Sequence, residues 1–309
     1  MTGSSLPDEA AAFLREVEGE DWTVEPLAGD ASVRAYYRIR RPDGSSVMLT
    51  WYPAEVRSQL GRFLRAYEAV APHARIPELL RANDTTVLQL DAGDRTLFDV
   101  LHDDREEGVR LYREAIDALI AFQQSAPEQE INPPFTARFF FDELEMAREF
   151  YVEKLQGADG APLVPLLKKI AENIASHPYV LCHRDYHGQN LHVFNGQLFL
   201  IDYQDLRMGP DTYDLASLLR DRGVARILGN DTEMELVDYY GSSTGRSACA
   251  TRYFETLLQR SIKILGTFAK QALVRGRRHY LEFIPPALES IGRCLEELPE
   301  FQKLGDYLR

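Results

Sequence analysis

Cysteine is scarce: Cys182, Cys249 and Cys294 are the only three in 309 residues. An odd number at wide spacing excludes a disulfide framework and fits reduced thiols. No apolar stretch approaches the roughly 20 residues that a membrane-spanning helix needs. Residues Met1 to Glu20 carry acids and no apolar run, which argues against a secretory leader. Positive charge is in deficit: 35 Lys and Arg against 48 Asp and Glu give a net charge of −13. Such a field disfavours non-specific binding to nucleic acid and to anionic membrane surfaces. Internal repeats and low-complexity tracts are absent too, which excludes a solenoid. These absences together predict a cytoplasmic protein that works on small molecules, with no nucleic acid, no membrane and no obligate protein partner. What is present is ordinary: 45% apolar and 27% charged residues describe a globular chain. At about 150 residues per domain, the length predicts two lobes.

The first ninety residues read as strands around one helix. Trp22 to Leu27, Val33 to Arg40 and Ser46 to Trp51 are β-favouring runs, the last two separated by the turn Pro42-Asp-Gly-Ser45. Pro53 suits the opening of a helix on which Leu60, Phe63, Leu64, Tyr67 and Val70 recur at helical spacing. Thr85 to Leu90 is a last strand before the polar run Asp91 to Asp94. Helical stripes dominate afterwards: Leu111 to Phe122, Phe141 to Leu155, Leu163 to Ile174, Tyr253 to Leu273, and a final helix after Pro285-Pro286. Only Tyr179 to Cys182 and Gln197 to Ile201 interrupt them as strands, and both end at polar clusters.

The segment that carries chemistry runs through His183-Arg184-Asp185 to Asn190. It matches the catalytic-loop pattern H-R-D-x-x-x-x-N. A second acid, Asp202, ends the following apolar strand. Turn residues between two strands are the plainer alternative, since Asp, Asn and Gly all favour turns. The joint match favours phosphoryl transfer, where one carboxylate meets the acceptor hydroxyl while an amide and a second carboxylate hold Mg²⁺ against nucleotide phosphates. His183, His187 and His192 lack partner cysteines at zinc spacing.

With these motifs the chain resembles the aminoglycoside-phosphotransferase/choline-kinase group. Several pieces resemble the bacterial cell-wall amino-sugar kinases in particular: Pro26 to Ser32 with Arg34 and Tyr37-Arg38, His183 to His187, Ile201 to Asp205, and Gly209-Pro210 leading to Tyr213 to Asp221. The resemblance implies an α+β, bilobal, protein-kinase-like fold: a small antiparallel-sheet lobe over 1–91 and a larger helical lobe over 92–309. It implies ATP and Mg²⁺ as cofactors and the anomeric hydroxyl of N-acetylmuramate or N-acetylglucosamine as acceptor. Asp185 then corresponds to the catalytic residue, and Asn190 and Asp202 to the metal ligands. Ala28 to Ser32, with Gly29, Asp30, Ala31 and Ser32, falls where such kinases cover the phosphates. Gln89, Leu90 and Asp91 fall at the connector that meets adenine. Asp214 corresponds to an acid that braces the loop, together with His183 and Arg184.

One departure stands out. The third strand, Ser46 to Tyr52, has no lysine for the α- and β-phosphates. Arg34 or Arg38 on the preceding strand is a candidate substitute, since guanidinium binds phosphate well. Between Asp202 and Gly209 the chain is too short for a regulated activation segment, which disfavours a protein acceptor. Candidate walls for a small acceptor are Tyr186, His187, Gln204, Asp205, Arg207 and Glu145. An aminoglycoside, choline or another alcohol is the alternative acceptor, and a nucleotide-binding pseudokinase without transfer activity is the alternative of another class.

Overall fold

A computed structural model describes residues 6–27, 33–125, 127, 130–220 and 223–308. The candidate phosphate-covering residues 28–32 lie outside them. A helix that the sequence reading did not anticipate, α1 (Asp8–Glu18), comes first. Its Ala10, Ala11, Phe13 and Leu14 share one buried face at helical spacing. Five strands follow: β1 (Thr23–Leu27), β2 (Ala35–Arg40), β3 (Ser46–Trp51), β4 (Leu79–Ala82) and β5 (Thr86–Leu90). They form one antiparallel sheet in the order β1-β2-β3-β5-β4. β4 escaped the sequence reading because it is a short edge strand with a register shift between Leu79 and Arg81.

The two-residue period of the strands sorts their side chains onto two faces. Tyr37, Ile39, Val47, Leu49 and Leu88 bury one face against α1. The register Arg38–Met48–Gln89 marks the other face, which carries Tyr36 and Thr50 as well. Between β3 and β4 runs α2 (Ser58–Val70). Its Leu60, Phe63, Ala66 and Val70 join the larger core, which also takes in Tyr52 and Val87.

A buried polar knot closes the end of β5. Arg38 Nε donates to Asp91 at 2.6 Å and its Nη2 to Asp94 at 2.6 Å, while Ser46 Oγ donates to Asp91 at 2.7 Å. Burial pushes the Asp91 carboxyl up, but the Arg38, Ser46 and Gly93 donors outweigh it and hold it below the usual range.

Beyond Asp94 helices take over: α3 (Leu97–Asp103), α4 (Arg105–Phe122), α5 (Ala137–Met146), α6 (Val164–Ala175), α7 (Tyr213–Arg220), α8 (Val224–Leu228), α9 (Asn230–Thr244), α10 (Cys249–Val274) and α11 (Ile284–Glu297). α3 opens on a capping box, with the Thr96 hydroxyl accepting from the Asp99 amide and Asp99 accepting from the Thr96 amide. α5 runs on as a π-helix over 147–155. There Gly266 of α10 presses so closely that a Cβ would collide with the backbone of Met146 and Ala147. Pro285 and Pro286 lie inside the first turn of α11 and not ahead of it, where their missing N–H groups cost nothing. Among the described residues no helix is long and apolar enough to cross a membrane.

Two antiparallel ribbons sit among the helices. One pairs β6 (Tyr179–Cys182) with β9 (Arg207–Pro210), and the other pairs β7 (Leu191–Phe194) with β8 (Gln197–Leu200). β9 contains Gly209 and Pro210, so composition hides it. The ribbon ends carry the motif residues.

Candidate active site

β6 delivers the chain to His183, and the backbone from there to Asn190 is fixed from below. Asp214, at the start of α7, is fully buried and accepts the amide N–H of His183 at 2.6 Å and of Arg184 at 2.9 Å. Burial pushes its carboxyl up, against the pull of His183 and the two amides. Arg184 adopts a left-handed φ of 80°, which an arginine holds only when its surroundings insist. Arg184 therefore meets Asp214 through its backbone, and its guanidinium stays out of that brace.

His183 is fully buried, and its Nε2 lies 2.9 Å from the Ile201 carbonyl. A carbonyl only accepts, so this nitrogen carries the proton. The Ile201 amide in turn donates to the Asn190 carbonyl at 3.0 Å. Asn190 Nδ2 donates to the Asp185 carbonyl at 2.9 Å. Asp185, Asn190 and the residue before Asp202 are thus joined in one hydrogen-bonded chain. Gly188 makes the fold of the loop possible, because a Cβ there would stand 2.9 Å from the Tyr112 hydroxyl and 3.0 Å from the Phe98 nitrogen.

Asp202 follows with a left-handed φ of 61°, which swings it out of the line of β8. Its side chain is 43% exposed, and its Oδ1 accepts from Gln204 Nε2 at 2.8 Å. Asp185 is exposed as well. The Asn190 amide nitrogen is committed to Asp185, which leaves its oxygen for a cation. Among the described residues no cluster of three or more His, Cys, Asp or Glu forms a closed metal cage. One amide oxygen and one carboxylate fit a hard cation that takes its remaining ligands from phosphates and water.

From the sheet, Arg34 reaches this acid: its Nη2 is 3.7 Å from Asp202 Oδ1. The guanidinium also lies 5.6 Å from the Tyr36 ring centroid and 6.0 Å from that of Tyr52. Burial lowers the Arg34 pKa, but Tyr36, Tyr52 and Asp202 more than restore it. Burial pushes the Tyr52 hydroxyl up to about 12. Of the two arginines considered for the missing lysine, Arg38 is consumed by Asp91 and Asp94, whereas Arg34 faces the site.

Of the expected walls and connector residues, Tyr186 is corrected and the others are placed as follows. Tyr186 is buried, and its hydroxyl donates to the Ala115 carbonyl at 2.7 Å, so it belongs to the core. Gln204 is buried and orients Asp202. Glu145 is held by Arg148 at 2.8 Å, a residue that Glu153 also holds. The Asp91 side chain belongs to the Arg38 knot, so only its backbone remains for a ligand. Gln89 Nε2 donates to the Pro77 carbonyl and the Tyr203 hydroxyl, and Leu90 is exposed. His187, Asp205 and Arg207 remain half-exposed. Asp205 pairs with Arg62 of α2 at 3.4 Å. Arg62 was missed, because nothing in the sequence ties residue 62 to 205.

The model of the phosphotransferase enzyme family matches residues 23–250, which contain every element of this site. The chain belongs to that family. This phosphotransferase is 27% identical to the N-acetylmuramate/N-acetylglucosamine kinase of Pseudomonas putida, over 91% of its own length and 86% of the relative's. It is 27% identical to the protein of the same name from Pseudomonas aeruginosa, over 99% and 93%. Among solved structures, the ADP-bound aminoglycoside phosphotransferase APH(2'')-Ib aligns with a TM-score of 0.64 at 14% identity, covering 93% of this chain and 97% of the other. A choline/ethanolamine kinase family protein from Mesorhizobium loti aligns with a TM-score of 0.62 at 18% identity, covering 96% of each. The protein-kinase-like fold expected from the motifs is therefore the fold of the phosphotransferase.

Proposed function

We propose that this phosphotransferase moves the γ-phosphoryl group of ATP to the anomeric hydroxyl of N-acetylmuramate or N-acetylglucosamine, in recycling of cell-wall sugars. Residues 1–91 serve the nucleotide and residues 92–309 the acceptor. The observation that carries this reading is the hydrogen-bonded chain that joins Asp185, Asn190 and Ile201, the residue before Asp202. The similarity to curated amino-sugar kinases over most of the chain supports the choice of acceptor.

Asp185 orients the acceptor hydroxyl and takes its proton. The acceptor oxygen forms a bond to the γ-phosphorus as the bond to the bridging oxygen breaks, and ADP leaves. Asn190 and Asp202 hold Mg²⁺, which neutralises phosphate charge. Arg34 supplies the cation that the third strand lacks. Catalysis is then mostly placement and electrostatics in a fixed frame.

Incubation with ATP, Mg²⁺ and a panel of N-acetylmuramate, N-acetylglucosamine, glucosamine, kanamycin and choline tests the reading. The expected product carries phosphate on the anomeric oxygen, located by NMR. Transfer to kanamycin or choline alone refutes it. Nucleotide binding without any transfer supports a pseudokinase instead.

The two arginines of β2 and its approach should separate cleanly. Arg34→Met is expected to raise the KM for ATP roughly 10-fold with little change in melting temperature, as loss of a charged contact implies. Arg38→Met strands Asp91 without its buried partner and is expected to cost about 3–5 kcal/mol of stability. That contribution depends on an Asp91 carboxyl held below its ordinary value. The difference between wild type and Arg38→Met should therefore persist above about pH 4 and shrink as the pH falls below it. Equal melting temperatures for the two variants at pH 7 contradict the assignment.

A further inference from the structure

We infer that Arg184 and Arg207 form a subsite for a carboxylate carried by the acceptor, beside the hydroxyl that Asp185 addresses. This inference rests on the amino-sugar reading above and adds the part of the substrate that is recognised.

Register brings the two arginines together. Arg207 stands opposite Cys182 in the β6–β9 ribbon, and Arg184 follows Cys182 by two residues. The Nε of each is buried without a hydrogen-bond partner. Neither guanidinium has an ion pair among the described residues. Arg207 lies 5.0 Å from the ring centroids of Phe135 and Phe139, which hold its plane but supply no anion. Burial and the nearby Arg184 charge lower the Arg207 pKa, and the opposing pull of Tyr213, Asp205 and Glu143 does not restore it.

The acids close enough to help are already engaged. Asp214 accepts the two loop amides. Asp205 pairs with Arg62. Glu143 accepts from Gln259 at 2.8 Å and from Lys263 at 2.8 Å. Asp185 itself is reserved for the hydroxyl. In a chain of net charge −13, two neighbouring guanidiniums that no described carboxylate pairs with directly mark a place for an anion.

The anion has two possible sources, the phosphoryl group in transfer or the acceptor. The phosphates meet Arg34, on the sheet side of Asp202. Arg207 sits on the β6–β9 ribbon and Arg184 just beyond its end, next to Asp185 in the chain, so the pair falls to the acceptor. A hydroxyl compound with a carboxylate elsewhere on its ring matches this arrangement. N-acetylmuramate has that carboxylate in its lactyl ether, and N-acetylglucosamine has none.

The test compares kcat/KM for the two sugars in wild type, Arg207→Met and Arg207→Lys. Wild type is expected to favour N-acetylmuramate. In Arg207→Met the ratio of the two constants should fall roughly 10- to 100-fold, the scale of one lost charged hydrogen bond. Arg207→Lys should recover part of the ratio. Loss of activity on both sugars by one factor makes Arg207 merely structural and overturns the subsite. A raised KM for ATP at an unchanged ratio reassigns the pair to the phosphate and overturns it as well. If wild type phosphorylates neither sugar, the amino-sugar reading fails by itself. The pair is then judged on whichever alcohol is phosphorylated, offered with and without a carboxylate, and indifference to the acid refutes the subsite. Absence of transfer to any acceptor overturns both.

Discussion

Asp185→Ala is expected to lower kcat by roughly 10²- to 10⁴-fold, the usual contribution of a positioned general base. The KM for ATP should change little, because Asp185 faces the acceptor and not the nucleotide in the proposed mechanism. The melting temperature should hardly move either. Asp185 is exposed, and the loop is held through main-chain groups: the Asp185 carbonyl accepts from Asn190, while Asp214 binds the amides of the two preceding residues. An alanine at 185 keeps that carbonyl. Turnover within a few-fold of wild type removes Asp185 from the role of base. A large drop in melting temperature makes the kinetic loss uninformative, and Asp185→Asn, which preserves shape and polarity, then decides the matter.

Asp202→Ala should abolish Mg²⁺-dependent nucleotide binding. The carboxylate is one of the two side chains that hold the cation in the proposed mechanism, and the other is a neutral amide. A milder relative of this experiment is Gln204→Leu, which removes the donor that fixes Asp202 Oδ1 at 2.8 Å. Loss of such an outer partner is expected to weaken Mg²⁺ dependence roughly 10- to 100-fold. Calorimetric titration of nucleotide with and without Mg²⁺ measures both. An Asp202→Ala protein whose nucleotide affinity still responds to Mg²⁺ as wild type does locates the cation elsewhere.

Much of this architecture is legible in the sequence, and the reason lies in distance along the chain. The loop from His183 to Asn190 and the acid Asp202 lie within twenty residues of one another, so spacing alone hints at their juxtaposition. The strands β2 and β3 announce themselves through alternation around a Pro-Asp-Gly turn, and α10 through a long apolar stripe. What sequence could not give is the direction of a polar side chain inside an irregular segment. Tyr186 stands between Asp185 and His187 and reads as a wall, yet it points into the core towards the Ala115 carbonyl. Gln204 reads as a sugar contact, yet it turns back on Asp202. Asp91 reads as part of the adenine connector through its backbone, and nothing nearby in sequence announces that Arg38, 53 residues earlier, claims its side chain. Each of these partners is fixed by tertiary packing between segments remote in sequence. β9 was missed for a different reason: its identity as a strand comes from pairing with β6, and Gly209 and Pro210 oppose it locally.

Ile201 ties the loop to the end of β8 through its main chain. Its carbonyl is bonded to the His183 ring and its amide to the carbonyl of Asn190. One residue, contributing only main-chain atoms, thereby clamps the two halves of the reacting apparatus in mutual alignment. Proline at 201 would sever the link by removing the N–H, while many ordinary side chains would preserve it. Substitution of side chains at surrounding positions can therefore proceed without disturbing how the proposed proton acceptor and cation ligands are set against each other.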